Sequence, residues 1–200
     1  MAGEAATAVG LGALAEEEYS TRRVNELIQS YRKLQELRRR ILQDAEKEAE
    51  GEDVAEVASK ITAVIQRYAP QIDEVLAEFK TLGIDPLAAN LEGVIEEYAE
   101  VLRLDVPVGG GKTLEDLLYE SRDEVLDRLH EIMMALFMKY VETSKLCDHR
   151  CPPEATQKLE KLATLELATY IIHNLYRKQK IDKNVLIKLF EETVDEILST

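Results

Sequence analysis

Residues 106–118 read VPVGGGKTLEDLL, the one glycine-rich run in the chain, and they end the run in Gly111-Lys112-Thr113. Those three letters close a phosphate-binding loop of the form G-x-x-x-x-G-K-[ST], whose backbone amides wrap phosphate between a strand and a helix. If the stretch is such a loop, the fold is α/β; if it is not, nothing else in the sequence asks for a sheet. The first glycine of the motif belongs five residues before Gly111, where Val106 stands. The segment before it, IEEYAEVLRL, has the spacing of a helix. A structural reading accounts for the whole run. Pro107 stops the preceding helix, and Gly109, Gly110 and Gly111 supply a flexible turn. Thr113 then caps the next helix, with Asp116 three residues on as a short-armed capping box.

Outward from that loop, apolar residues recur at steps of three and four. The first long segment carries Val24, Leu27, Ile28, Tyr31, Leu34, Ile41, Leu42 and Ala45. At about 100° per residue these fall in a stripe roughly 140° wide, the signature of an amphipathic helix. Arg38 lies inside the stripe, and Gly51 ends the segment. A second helix begins at Val54. Pro70 either kinks it or opens a new helix that runs to Gly83. Asp85 and Pro86 start a further helix reaching about residue 104. Helices over about 114–146, 153–178 and 183–198 complete the chain.

The expected fold is therefore all-α, a bundle of six or seven helices. Residues 1–12 read as a flexible tail, 13–104 as an N-terminal helical half, 105–112 as a glycine-rich linker and 113–200 as a C-terminal helical half. The fourth and fifth helices should form a long antiparallel hairpin at its centre. IMMALFMKYV (132–141) holds one charge, Lys139, and LATLELATYIIHNLY (162–176) holds one, Glu166. Helices apolar nearly all round are usually buried on several sides.

Composition narrows the function. The chain has 200 residues, 46% hydrophobic and 32% charged, with a formal net charge of -14. That is enough apolar surface for a core, and a strongly acidic chain repels phosphate backbones overall. The charge is uneven. Arg22, Arg23, Arg32, Lys33, Arg38, Arg39 and Arg40 face only Glu26 and Glu36 within 20–41, whereas 43–56 holds one lysine and seven acids. Arg22, Lys33 and Arg40 line the side of the helix opposite the apolar stripe, with Arg32 and Arg39 on one shoulder. Arg177, Lys178 and Lys180 begin a second basic patch over 176–188. Solvation or pairing with the chain's own acidic segments is the plain reading of both patches. Contact with a nucleic acid or a partner is the functional one. No apolar run reaches the roughly 18 residues of a membrane span, and no signal peptide is evident, so a cytoplasmic protein with no membrane association is expected.

Metal chemistry has two thin candidates. Cys147, His149 and Cys151 are zinc-competent but lack a fourth ligand at finger spacing. A local disulfide is the alternative where the compartment allows one. Asp127, His130, Glu166 and His173 would meet if the central hairpin pivots near His149, although a di-iron bundle needs two Glu-x-x-His pairs and more glutamates. No catalytic residues and no cofactor are indicated. The function expected is a non-catalytic helical interaction module, a subunit or adaptor that meets a protein partner or its own copy through amphipathic helices. The seam Tyr31, Leu34, Ile41 and Ala45, with Arg38 as a polar insertion, is the candidate surface. Nucleic-acid association through 22–40 and 176–188 is the first alternative, and a metal-binding helical-bundle enzyme the second.

Overall fold

The structure, a computed structural model, describes residues 3–82, 107–113, 124–147 and 150–200, with the side chains of the first helix described from Arg22. The fold is all-α. Five α-helices are present among the described residues: α1 (Gly3–Glu48), α2 (Val54–Thr81), α3 (Glu124–Ser144), α4 (Pro153–Arg177) and α5 (Lys183–Leu198). A 3-10 turn, Lys145–Cys147, extends α3. The helix expected over 85–104 and the first turns expected after Thr113 lie outside the described residues. One sequence expectation is corrected here, and the choice left open at Pro70 is narrowed to a proline within one helix. The helix starts at Gly3, so residues 3–12, expected as a tail, belong to α1; Ala5, Ala6, Ala8 and Leu11 are strong helix formers, and they outweigh the glycines. Pro70 lies inside one continuous α2. Both Pro70 and Gln66, whose carbonyl loses its donor, are exposed, which leaves the freed acceptor open to solvent.

The glycine run is not a P-loop but the turn of a short hairpin. Pro107–Gly109 (β1) pairs antiparallel with Lys112–Thr113 (β2), Pro107 opposite Thr113 and Gly109 opposite Lys112. Gly110 and Gly111 form the two-residue turn with φ of 67° and 77°. Positive φ at both central positions is what a tight hairpin of this twist requires, and glycine adopts it without a Cβ clash. Lys112 and Thr113 are thereby part of a ribbon; the helix that Thr113 is expected to cap lies outside the described residues.

α1 and α2 form a long antiparallel hairpin. Asp53 Oδ1 accepts the Glu56 amide at 2.8 Å and caps the start of α2. Polar contacts run along the seam. Arg67 donates twice to Glu48 at 2.7 and 2.8 Å, Tyr68 donates to Asp44 at 2.7 Å, Ser30 donates to Glu78 at 2.9 Å, and Arg23 reaches the Leu82 carbonyl at 2.6 Å. Between them the apolar stripe of α1 is consumed: Leu34, Leu37, Ile41 and Ala45 are buried. Val24 and Ile28, nearer the open end of this hairpin, stay exposed.

α4 is the central element. It packs against α1, α2, α3 and α5, and Leu162, Leu165, Leu167, Ile171, Ile172 and Leu175 bury on different sides of it. α3 is not its equal. It rests mainly on α5 and on α4, through one stripe of Val125, Leu129, Ile132 and Leu136. The expectation of two helices buried at the centre therefore holds for α4 alone.

The turn between α4 and α5 closes by a Schellman pattern. The Lys180 amide bonds to the Leu175 carbonyl at 2.9 Å and the Gln179 amide to that of Tyr176 at 2.9 Å. Gln179 takes φ of 58°, where glycine usually stands. Asp182 then caps α5 by accepting the Val185 amide at 2.8 Å. A side chain in the left-handed region costs about 1 kcal/mol. Gln179→Gly is accordingly expected to raise the unfolding free energy by about 0.5–1 kcal/mol. Unchanged or lower stability in urea titrations of that variant would contradict the assigned turn.

Candidate functional site: a buried ion pair and an exposed apolar helix face

The basic residues singled out in the sequence are largely engaged by the chain's own acids. Arg22 pairs with Glu26, Arg39 and Arg40 both with Glu36, and Lys33 with Glu78. Lys178 meets Glu46, and Lys180 meets Glu50 at 2.8 Å. The second basic patch thus lies against the acidic end of α1, a contact between segments 130 residues apart in sequence. Arg32 and Arg177 are exposed. The carboxyls respond as physics requires. Glu36 is held below its ordinary value by hydrogen bonds from Arg39 and then Arg40, Glu50 by Lys180, and Glu78 by Lys33. An open cleft of about 750 Å3 lies at this end of the bundle, between the α1–α2 and α4–α5 turns. Glu50, Glu52, Arg177, Lys180 and Asp182 line it, so its walls carry both signs of charge.

Arg38 and Glu166, the two charges that interrupt apolar helix faces, meet each other. Arg38 Nη1 and Nη2 donate to Glu166 Oε2 and Oε1 at 2.8 and 3.0 Å. Their side chains are 7% and 2% exposed. The guanidinium carbon also sits 4.5 Å from the centroid of the Tyr170 ring, one helical turn beyond Glu166. A planar fork matched to a carboxylate, with an aromatic face on one side, is a favourable arrangement for an ion pair out of water. Beside it, α1, α2 and α4 leave a cavity of about 80 Å3 walled by Leu34, Leu37, Ile41, Ile72, Ala163 and Leu167, among others. Both carboxylate oxygens of Glu166 accept from Arg38, which suits a lock between α1 and α4 better than a general base.

That lock dissolves the metal constellation read from the sequence. Glu166 faces α1, whereas Asp127 and His130 are exposed on α3. His173 is half-buried on α4. Cys147 and Cys151 are bonded to each other as a disulfide, which leaves neither thiolate for zinc, and His149 lies outside the described residues. Among the described residues, no three His, Cys, Asp or Glu side chains gather where an ion would sit.

His173 does carry a pH signature. Burial, and secondarily the charge of Arg177, hold its imidazole below the ordinary 6.5. The unfolded chain therefore binds the proton first as pH falls. The stability due to neutral His173 is complete above pH 6.5 and declines below it, levelling once pH passes the lower folded value. We expect His173→Gln to flatten the stability profile just below pH 6.5 while leaving the steeper carboxylate-driven loss at lower pH. Parallel denaturant titrations at several pH values measure both.

α3 presents the feature that sequence reasoning missed. Opposite its buried stripe, Met134, Phe137 and Met138 are 45%, 50% and 65% exposed. Val141 is partly exposed one turn on. The signal was present in IMMALFMKYV, which is apolar on two sides. Only one of the two is covered by the described residues. Apolar groups clustered in this way, rather than scattered singly, mark interaction surfaces.

No family model matches the chain, and no solved structure matches it.

Proposed function

We propose that this protein is a non-catalytic helical interaction module, a subunit or adaptor of a larger assembly, and that it engages through the outer face of α3. The observation that carries this reading is the exposure of Met134, Phe137 and Met138 side by side on a helix whose other face is fully packed. Keeping that much apolar surface in water forgoes about 25 cal/mol for every Å2 that an association would cover. The α1 seam expected from the sequence is spent internally: Leu34, Ile41 and Ala45 are buried, and Arg38 is locked to Glu166. Nucleic-acid association draws less support, because most of the proposed basic contacts are engaged by Glu26, Glu36, Glu46, Glu50 and Glu78. No described helix is long and apolar enough to cross a membrane.

The test is the size of the protein in native extract. Tagged protein should elute well above its 22.7 kDa, and Met134→Glu/Met138→Glu should return it to the size of a single chain. A wild-type protein that elutes as one chain even when loaded at several hundred micromolar, or a large species indifferent to the double variant, counts against the reading.

A further inference from the structure

The geometry points to a second copy of this chain, docked antiparallel, as the occupant of the α3 face; this rests on the interaction reading above and names its partner. The exposed residues Asp127, Glu131, Met134 and Met138, the partly exposed Val141, and the exposed Lys145 follow one another at steps of four, three, four, three and four. That is the heptad spacing of a helix–helix seam. It lies opposite the buried stripe of Val125, Leu129, Ile132 and Leu136. The seam is nearly self-complementary. Its ends carry opposite charge, Asp127 and Glu131 toward the N-terminus and Lys145 at the C-terminus, with the apolar residues between them.

A two-fold axis crossing the helix at the level of Leu136 sets Met134 against Met138 of the second copy, and Asp127 against Lys145, each contact occurring twice. A parallel pairing would instead stack Asp127 on Asp127 and Lys145 on Lys145. Two-fold interfaces of this kind use one patch on both subunits and close on themselves. Phe137 flanks the seam as the largest apolar group. Glu131 falls level with Val141 at the rim, where its contact to Arg128 at 2.7 Å holds its carboxylate to the side. α3 is 21 residues long, about 31 Å at 1.5 Å per residue. One helix face of that length buries less than the roughly 800 Å2 per partner of a standard interface, so the dimer should be weak, with a Kd of about 1–100 μM.

Sedimentation equilibrium of the purified chain over a concentration series tests this. The expected mass rises from 22.7 kDa toward twice that value. Met138→Glu should hold the chain at the single-chain mass with an unchanged circular-dichroism spectrum, since Met138 is surface-exposed in the isolated fold. Asp127→Lys and Lys145→Asp should each weaken association about fivefold by setting like charges together. An equimolar mixture of the two should recover it, because each copy then meets its complement at both ends. A chain that stays single to several hundred micromolar overturns the proposal, as does a dimer that survives Met138→Glu. Recovery failing in the mixture overturns the antiparallel register. If the purified chain is single while the extract complex still requires Met134 and Met138, the second copy is excluded and the interaction reading stands with a different partner.

Discussion

Replacing Glu166 with leucine is expected to lower the unfolding free energy by about 3–5 kcal/mol, the largest effect of any single change considered for this protein. Leucine fills most of the volume and suits the apolar surroundings, so packing alone would predict a small change. The cost comes from Arg38, whose guanidinium is left in a site where it is 7% exposed without the carboxylate that took both of its forked donors. The Tyr170 face retains part of the attraction. The converse change, Arg38→Met, strands the Glu166 carboxylate and should cost a similar amount. Combining the two removes both charges, and the double variant should regain most of the loss, because an apolar pair of similar volume often matches a buried ion pair. Urea titrations of the four proteins give the coupling directly. Additive losses in the double variant would show that Arg38 and Glu166 do not depend on each other, and the lock between α1 and α4 would have to be abandoned.

The second large effect separates the two faces of α3. Leu129→Ala should cost about 2–5 kcal/mol, since Leu129 is fully buried and its truncation leaves a cavity between α3 and its neighbours. Met138→Ala, nine residues on and opposite, should change stability by no more than about 0.5 kcal/mol in dilute solution. The pair is informative because both residues belong to a strongly apolar helix that hydropathy treats as uniform. Comparable losses at the two positions would mean that Met138 is packed within the single chain, and the surface assigned to α3 would not exist. At high concentration Met138→Ala should begin to show a loss, and that concentration dependence belongs to association rather than folding.

Particular residues show how much was readable beforehand. The helical period was plain from residue 24 onward, and each described helix occurs where that period places it. Asp182 was not singled out in the sequence, although Asp ahead of an apolar-periodic run is a recognised start signal. Arg38 and Glu166 were each visible as an interruption of an apolar face. Their partnership was not, because 128 residues separate them and no local rule couples charges across that distance. The glycine run illustrates the opposite error. Three consecutive glycines read as slack chain, yet Gly110 and Gly111 take the backbone angles of a defined ribbon turn. The information lay in what glycine permits, and pairing between flanking residues decided which permitted state is used.

What the sequence determined by itself is the class of element and the stripe each helix must hide, because side-chain periodicity and backbone propensity act within a few residues. Only the tertiary structure decided which stripe meets which. It spent the α1 seam on α2 and α4, put α4 rather than α3 at the centre, joined Arg38 to Glu166 and left Met134, Phe137 and Met138 facing water. The physical reason is that burial is a property of pairs of surfaces: hydropathy states that a face leaves water favourably, and packing geometry alone determines whether the same chain supplies the surface that covers it.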